Sequence, residues 1–366
     1  MVWSKTTKPR RIVLVRNDGI GDLVLTLPAM AAIRRQFPDA HLTALLGPGA
    51  AGLLDGSHLI DGTIVDDPSH GHFQLAARLR QGRFDTAVVF NSKSRNCRAI
   101  WLAGIPTRVC WGYTPLGMLL GNRRIFVHRS RPPIHESAFC LEFARRLEAQ
   151  PQSTDFAPQL AIDTPLRAQI ASRIAGELGT SGPLFGVHPG DKGSAYNWPA
   201  SQYAELAIRL ARVGRVIVTG KQLERPLLEQ IRSQLSDETR KRVGLLWNLD
   251  LLELAAVIEQ QTSLTVGSTG PMHVAGIVGT KVVALFSPHP CHSPKKWAPL
   301  GDGHTLLVAP LEAGEDPYVP RAKSAAVMAR ISVEQVLEAN LRIARDSLGP
   351  AAARVHAPGD IAQQAA

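Results

Sequence analysis

The sequence lacks any apolar run long enough to cross a membrane. Runs such as Val282–Phe286 have the length of a buried strand and fall far short of the roughly 18 residues of a spanning helix. We also expect no secretory leader, because Arg10 and Arg11 are followed by only Ile12–Val15 before Arg16 interrupts the run. These absences argue against an integral membrane protein and predict a soluble one.

Cysteine is scarce, with four in 366 residues, and its spacing is irregular. Cys97, Cys110, Cys140 and Cys291 form no C-x-x-C pair, which argues against a zinc ribbon and against a disulfide framework. A reducing compartment fits this usage best, so the sequence predicts a cytoplasmic location.

Acidic residues are missing from one long stretch of an otherwise mixed chain. Lys and Arg total 41 against 31 Asp and Glu, yet every Lys, Arg, Asp or Glu between Lys93 and Arg131 is basic. Such a stretch concentrates anionic ligands, although a solvated basic face explains the charge equally well. Nucleic acid is a third possibility, but no recognisable binding motif supports it. The basic residues are Lys93, Arg95, Arg98, Arg108, Arg123, Arg124, Arg129 and Arg131.

Short β-branched runs alternate with helical patterns in the first half of the chain. Arg11–Arg16 predicts a first strand, and the helix after it extends to about Gln36. Strand–helix alternation is typical of a parallel sheet covered by helices on both faces. The next predicted strands are His41–Leu46, Thr63–Val65, Thr86–Phe90 and Thr107–Cys110, with helices over His70–Gln81 and Arg95–Ala103.

A proline-containing stretch, Gln150–Leu166, predicts an interdomain linker, and the alternation resumes after it. We therefore predict an N-terminal domain over residues 1–160, a C-terminal domain over 161–346 and a disordered tail over 347–366. The fold class is α/β, with two Rossmann-like doubly wound domains that face each other across a central cleft. The second set of predicted strands is Leu184–His188, Val216–Thr219, Ser263–Val266 and Lys281–Phe286.

The first candidate motif, Arg16–Asp22 (RNDGIGD), joins the first strand to its helix. Glycines permit a sharp turn close to a ligand, and a helix N-terminus attracts an anion. The motif departs from the dinucleotide fingerprint G-x-G-x-x-G, because Asp22 follows Gly21 directly and would repel a pyrophosphate. On spacing alone, Asp22 is more often a helix cap than a catalytic group.

The second motif is the long polar loop Val187–Pro199 (VHPGDKGSAYNWP). Lys192, Ser194 and backbone N–H groups suit phosphate oxygens, and Pro199 takes the favoured first position of the next helix. An ordinary loop in which Trp198 packs as an anchor is an equally good interpretation.

The third motif, Gly267–His273 (GSTGPMH), places two hydroxyls and a glycine before a helix that starts near Pro271. Hydroxyl donors and the positive end of a helix suit a diphosphate, and a plain helix cap by Ser268 or Thr269 is the alternative. A fourth segment, His289–Pro299, contains two histidines and Cys291. It has no fourth ligand at a useful spacing, so a loop is a better interpretation than a metal site.

Together these motifs resemble glycosyltransferase family 9, the ADP-heptose heptosyltransferases of lipopolysaccharide assembly. The resemblance extends from about Arg11 to Val308 and depends on the order of the motifs, since each is weak alone. They are Gly21-Asp22 with Leu25-Thr26-Leu27-Pro28, His188-Pro189-Gly190 with Asn197-Trp198-Pro199, and Thr269-Gly270-Pro271-Met272-His273 with Trp297-Ala298-Pro299.

The resemblance implies a GT-B fold and an inverting transfer of heptose from ADP-heptose to the lipopolysaccharide inner core, without metal or other cofactor. It implies that Asp22 is the general base and that the acceptor contacts the first domain. An anionic acceptor would explain the basic stretch, so the resemblance implies no role for nucleic acid. It also implies peripheral contact with the cytoplasmic face of the inner membrane. We expect the donor to contact His188, Gly190, Lys192, Ser194, Ser268, Thr269, Gly270 and His273, and the acceptor Lys93, Arg95, Arg98 and Arg123.

Two positions depart from the pattern of the family. Many relatives have Lys where this chain has Tyr196, and Asp where it has Ser268. Lys192 or Lys221 is a candidate replacement for the missing Lys. Since both departures are on the donor side, a different nucleotide sugar is one alternative, and a non-catalytic sugar-nucleotide-binding protein is another.

Overall fold

A computed structural model describes residues 8–129, 134–156, 160, 162–190 and 195–352, the last five by their backbone alone. The chain forms two compact units, Met1–Ala161 and Ile162–Ala366. Among the described helices, none combines the length and the hydropathy that a membrane span requires.

The first unit is built on a six-stranded parallel sheet in the order β3-β2-β1-β4-β5-β6. The strands are β1 (Arg11–Arg16), β2 (His41–Leu46), β3 (Gly62–Val65), β4 (Thr86–Val89), β5 (Thr107–Trp111) and β6 (Arg123–Ile125). The helices are α1 (Ile20–Gln36), α2 (His72–Gln81), α3 (Ser94–Leu102), α4 (Pro115–Leu120) and α5 (Glu136–Arg145), with 3₁₀ turns at Ala51–Leu54 and Ser153–Phe156.

The central strands of this sheet are buried along their length, because helices cover both faces. β1 pairs with β2 from Arg11 opposite His41 to Arg16 opposite Leu46, and with β4 on its other side. Apolar side chains on both faces of β1 therefore belong to the core, and so does Arg16 at its carboxyl end.

The second unit repeats this topology, with a parallel sheet in the order β9-β8-β7-β10-β11-β12. The strands are β7 (Leu184–His188), β8 (Arg215–Gly220), β9 (Val243–Trp247), β10 (Ser263–Gly267), β11 (Lys281–Phe286) and β12 (Thr305–Val308). The helices are α6 (Thr164–Leu178), α7 (Ala200–Ala211), α8 (Arg225–Ser233), α9 (Asp237–Arg240), α10 (Leu251–Glu259), α11 (Gly270–Val278), α12 (Pro294–Trp297), α13 (Ser324–Met328) and α14 (Val333–Ala352), with 3₁₀ turns at Gln222–Glu224, Pro290–His292 and Arg321–Lys323.

Two segments predicted to be irregular contain ordered elements. The predicted linker, residues 150–166, includes the turn Ser153–Phe156 and the start of α6, where Pro165 takes an early helical position that needs no N–H donor. The predicted tail, residues 347–366, overlaps the end of α14, which extends to Ala352. The remainder of that tail, residues 353–366, lies outside the described residues.

Each sheet changes the direction of its strand order between two central neighbours, β1 and β4 in one unit and β7 and β10 in the other. The loops after these neighbouring strands diverge at the carboxyl edge of the sheet and leave a crevice, which is where ligands bind in open α/β folds. Three of the predicted motifs follow β1, β7 and β10.

Candidate active site

Arg16 ends β1 and is completely buried, with its guanidinium surrounded by oxygen atoms. It donates to Asp22 Oδ1 at 2.9 Å and to Glu136 Oε1 at 2.7 Å, and its Nε lies 3.3 Å from Asp18 Oδ1. It also donates to the backbone oxygens of Asp22, at 3.1 Å, and Phe90, at 2.8 Å. Burial of a cation is tolerated when such partners satisfy its donors, so Arg16 joins the first loop to α5.

Asp22 lies in the first turn of α1 but does not cap it. The helix starts after Gly19, which makes no side-chain cap, and Asp22 Oδ1 accepts from Arg16 instead. Within the described residues Asp22 Oδ2 has no hydrogen-bond partner, and the side chain is 24% exposed. Burial raises the pKa of Asp22, as do the charges of Asp18 and Glu136, while Arg16 and Arg129 oppose the shift. The site therefore holds a positioned carboxylate of increased basicity.

Glu136 begins α5 and is fully buried, although sequence reasoning did not single it out. Arg129 donates two hydrogen bonds to its carboxylate, from Nη2 to Oε1 at 2.6 Å and from Nε to Oε2 at 2.9 Å. Burial alone would raise the pKa of Glu136, but Arg16 and Arg129 outweigh it and hold this pKa below its usual range. Glu136 is therefore an ionised group that connects two arginines near Asp22.

A network of buried amides fixes the loops after β1 and β4. Asn17 Oδ1 accepts from Asn91 Nδ2 at 2.9 Å and from Asn96 Nδ2 at 2.8 Å. Asn17 Nδ2 donates to Asp66 Oδ2 at 2.5 Å and to Asn96 Oδ1 at 3.1 Å. The network therefore holds together the loops that flank the change of strand order.

The four predicted acceptor residues differ in what they contact. Lys93 donates to the backbone oxygen of Asn17 at 2.5 Å, and Arg95 forms a bidentate pair with Asp66 at 2.7 and 2.9 Å. Arg123 donates to a backbone oxygen at 3.3 Å, whereas Arg98 is exposed and has no partner among the described residues.

The basic stretch is thus partly neutralised by acidic residues that lie outside it in sequence. Asp66 precedes the stretch and pairs with Arg95, and Glu136 follows it and pairs with Arg129. Backbone oxygens hold Arg108 and Arg124. Arg131 lies outside the described residues.

His188 occupies in the second unit the position that Arg16 occupies in the first, at the carboxyl end of the first strand of its sheet. The ring is buried, and its Nδ1 lies 2.8 Å from Thr219 Oγ1 at the end of β8. Burial, assisted by the charge of Lys221, lowers the pKa of His188 to about 4. Neutral His188 therefore joins the ends of β7 and β8, and Lys221 follows β8 directly.

Gly190 lies against the side chain of Glu224 in the second motif. A Cβ atom at this position would lie 2.1 Å from the carboxylate of Glu224, whose Oε2 accepts from the backbone N–H of Lys221 at 2.8 Å. Lys192 and Ser194, the two predicted phosphate contacts of this loop, lie outside the described residues.

The third motif places a helix N-terminus at the change of strand order. Val266 of β10 pairs with His188, and α11 begins two residues after Ser268. Thr269 is the N-cap residue but makes no side-chain cap; its hydroxyl is directed to the backbone oxygen of Gly267 at 3.4 Å. The partial positive charge at Gly270 is therefore not compensated by a cap, which suits an anionic ligand. His273 is buried one turn into the helix.

Tyr196 and Trp198 are held by contacts within their own unit. The hydroxyl of Tyr196 donates to the backbone oxygen of Val319 at 2.5 Å, so its proton is already engaged within the protein. Trp198 is buried and donates to the backbone oxygen of Ile331 at 2.9 Å, as the anchor interpretation predicts. The rings of His289 and His292 lie 5.1 Å apart, and the part of the chain that the structure describes contains no cluster of three potential metal ligands.

Two doubly wound units of this topology define the GT-B class of glycosyltransferase folds. Comparison with known proteins gives the family. The model of glycosyltransferase family 9 (heptosyltransferase) matches residues 72–323, so the chain belongs to this family and is a glycosyltransferase.

Individual relatives agree with this membership. Lipooligosaccharide heptosyltransferase 2 of Haemophilus influenzae is 25% identical over 81% of this chain and 88% of the relative. The structure of Escherichia coli ADP-heptose lipopolysaccharide heptosyltransferase II matches with a TM-score of 0.77 and 22% identity, over 93% of this chain and 100% of the other. The E. coli heptosyltransferase WaaC with ADP matches with a TM-score of 0.68 and 15% identity, over 91% of this chain and 100% of the other.

Proposed function

We propose that this chain transfers a heptose from ADP-heptose to an inner-core lipopolysaccharide acceptor with inversion, and that Asp22 is the general base. The observation that carries the proposal is the Asp22 carboxylate. One of its oxygens is fixed by buried Arg16, and the side chain is partly exposed at the carboxyl edge of the sheet. The names of two relatives, lipooligosaccharide heptosyltransferase 2 of Haemophilus influenzae and lipopolysaccharide heptosyltransferase 2 of Escherichia coli, support the sugar and the acceptor.

Asp22 would accept the proton of the acceptor hydroxyl while that oxygen forms a bond to the anomeric carbon of the donor. The bond between the anomeric carbon and the diphosphate oxygen breaks in the same step, and ADP leaves with that electron pair. Attack opposite the leaving group inverts the anomeric configuration. Fixing the carboxylate before the substrates arrive lowers the entropic cost of this step.

The second unit supplies groups suited to a departing diphosphate. The N-terminus of α11 at Thr269 and Gly270 carries partial positive charge, and Lys221 lies close enough to His188 to lower its pKa. Ser268 and His273 flank the same helix start. We assign His188 a supporting role, since its buried ring holds Thr219. The ADP bound by the structural relative WaaC supports adenine as the base.

A donor screen tests this assignment. The purified protein is incubated with a panel of nucleotide sugars, and the released nucleotide is identified by mass. We expect ADP from ADP-heptose, and greater thermal protection by ADP than by UDP or GDP, because a ligand of the native state raises its stability. Equal protection by UDP, or release of another nucleotide, would favour a different donor.

Replacing Asp22 by Asn tests the base. Asn keeps the shape of the side chain and an oxygen for Arg16, so we expect transfer to fall about 10²–10⁴-fold while ADP protection stays unchanged. The control is Asp39→Asn, an exposed site of the same unit, which should keep full activity. Undiminished transfer by the Asp22→Asn protein would end the base assignment.

Acceptor contact is tested at Arg98, which is exposed, rather than at Arg95, whose pairing with Asp66 is structural. Arg98→Glu should raise the KM for the acceptor and leave ADP binding unchanged. An effect on ADP binding alone would contradict the assignment of the acceptor to the first unit. The proposal also places the enzyme at the cytoplasmic face of the inner membrane, so it should sediment with anionic vesicles more than with neutral ones.

A different nucleotide sugar remains the second candidate, and one observation favours it. Tyr196 stands where many relatives have Lys, and its hydroxyl is engaged by Val319. Without that Lys, recognition of the donor phosphates depends on other groups of the second unit, and Lys221 is a described candidate. Release of a nucleotide other than ADP in the donor screen would establish this alternative.

A further inference from the structure

Glu136 is a buried carboxylate that shares two arginines with the neighbourhood of Asp22. Its Oε1 accepts from Arg16 at 2.7 Å and from Arg129 at 2.6 Å, and its Oε2 accepts from Arg129 at 2.9 Å. The same Nη2 atom of Arg16 also donates to Asp22 Oδ1 at 2.9 Å. Asp22 and Glu136 therefore share the same cation, since one Nη atom of an arginine carries two N–H donors.

Arg129 pairs with one of these two carboxylates and lies close to the other. Its Nη2 lies 2.6 Å from Glu136 but 4.0 Å from Asp22 Oδ1, so it pairs with the former and only borders the latter. The Arg129 side chain is 19% exposed, in contrast to Arg16, which is enclosed. If Glu136 lost its charge, a small shift of Arg129 would bring it into contact with Asp22.

We propose that Glu136 is a positioning residue for the transfer reaction, because it retains Arg16 and Arg129 and thereby keeps one oxygen of Asp22 free of cations. This inference rests on the proposed role of Asp22. A base that paired fully with an arginine would be less basic and less accessible to the acceptor hydroxyl. Holding the second cation on Glu136 leaves Asp22 oriented by one arginine alone and able to receive a proton.

The net charge of the cluster supports this role. Two arginines face three carboxylates, so uptake of one proton by Asp22 brings the cluster to neutrality. Cys140 of α5, which contacts Thr26 at 3.3 Å, stays a neutral thiol because burial raises its pKa to about 12. The charged groups that face Asp22 are Arg16 from β1, Asp18 from the following loop, Glu136 from α5 and Arg129 from the segment after β6.

The test measures the protonation of Asp22 directly. Protein with ¹³C-labelled aspartate carboxyls is titrated by NMR, with the Asp22 resonance assigned by its absence from Asp22→Asn protein. Glu136→Gln removes the charge that retains Arg129, so the pKa of Asp22 should fall by about 1–3 units. Arg129→Gln should raise it, and the double variant Arg129→Gln/Glu136→Gln should return it towards the wild-type value. The matched control is Glu142→Gln, an acidic residue of α5 that pairs with Arg145.

A second readout is the pH profile of kcat/KM for transfer, with the sugar nucleotide that the enzyme turns over. The rate falls on the acidic side as Asp22 becomes protonated, so in the Glu136→Gln protein this limb should move to lower pH by the NMR shift. The plateau should fall about tenfold, since a weaker base transfers protons more slowly. The double variant should recover most of that loss.

The outcomes separate the two proposals. An unchanged pKa of Asp22 in folded Glu136→Gln protein would overturn the role of Glu136. A shifted pKa with an unmoved pH–rate profile would instead remove Asp22 as the base and, with it, the catalytic meaning of Glu136. If Glu136→Gln fails to fold, the pair of Arg129→Gln and the double variant gives the same comparison, and equal Asp22 pKa values in those two proteins would refute the proposal.

Discussion

Asn17 is the centre of the amide network beneath the candidate site, and Asn17→Ala would remove four side-chain hydrogen bonds together. Asn96 Nδ2 keeps a bond to Asn91 Oδ1, and Asp66 keeps Arg95. Within the described residues, Asn91 Nδ2 and Asn96 Oδ1 each lose the bond they have. Each buried group without a partner costs about 1–3 kcal/mol, so we expect a total of about 2–6 kcal/mol.

Hydrogen exchange followed by mass spectrometry suits this measurement, because the two units need not unfold together. Peptides covering β1 and β4 should exchange at least about 30-fold faster in the Asn17→Ala protein, which corresponds to the lower limit of the expected free energy. Peptides from β7 and β10 should be unchanged and serve as an internal reference.

The matched control is Asn122→Ala. Asn122 is exposed and bonds to backbone atoms of Arg108 and Pro106 at 2.8 and 2.6 Å. Because water replaces its bonds, the loss should stay near about 0.5–1 kcal/mol. If Asn17→Ala lost no more protection than Asn122→Ala, the argument that buried amides hold the first loop would be refuted.

Three further predictions concern the second unit. The pKa of His188 is about 4 in the fold against 6.5 for the unperturbed side chain, so its contribution to stability is present above pH 6.5 and lost as pH falls towards 4. Between pH 7 and pH 5, the free energy of unfolding in urea should therefore fall by about 2 kcal/mol more than it does in the His188→Gln protein. Equal pH slopes in the two proteins would contradict this. Trp198→Phe should cost about 2–3 kcal/mol through a void and a lost indole bond, and a melting temperature unchanged to within about 1 °C would refute it. Gly190→Ala should lower both the stability of the protein and its protection by ADP, because the new Cβ displaces Glu224. Gly176→Ala has no heavy atom within 4 Å of the new Cβ, so its free energy of unfolding should rise by about 0.5–1 kcal/mol. Equal melting temperatures of the two variants would contradict the steric argument.

The fold class was predictable because its signals are local. Alternating short apolar runs and helical patterns indicated two doubly wound units, and both parallel sheets are confirmed by the structure. Elements without a strong pattern were missed. β6 has three residues, two of them arginines, and α4 has six, so neither provides a period long enough to recognise.

The site was predictable only in part, because its decisive contacts join residues that are distant in the sequence. Asp22 was found through its motif, whereas Glu136 is 120 positions from Arg16 and lies in no motif. Counting charges along the chain also overstated the basic stretch, since Asp66 and Glu136 neutralise arginines from outside it. An arginine buried at the end of a strand is costly unless acidic groups pair with it. Arg16 at the end of the first predicted strand is therefore the signal that could have prompted a search for such partners.

The two units show how one topology serves opposite electrostatic needs. Arg16 and His188 end equivalent strands, and both are buried at a change of strand order. Arg16 gathers Asp18, Asp22 and Glu136, so the first crevice presents a carboxylate that can accept a proton. His188 is neutral, and the N-terminus of α11 has no side-chain cap, which suits an anionic leaving group. The topology fixes where the crevice lies, and the residue at the end of the first strand determines the charge of the groups gathered there.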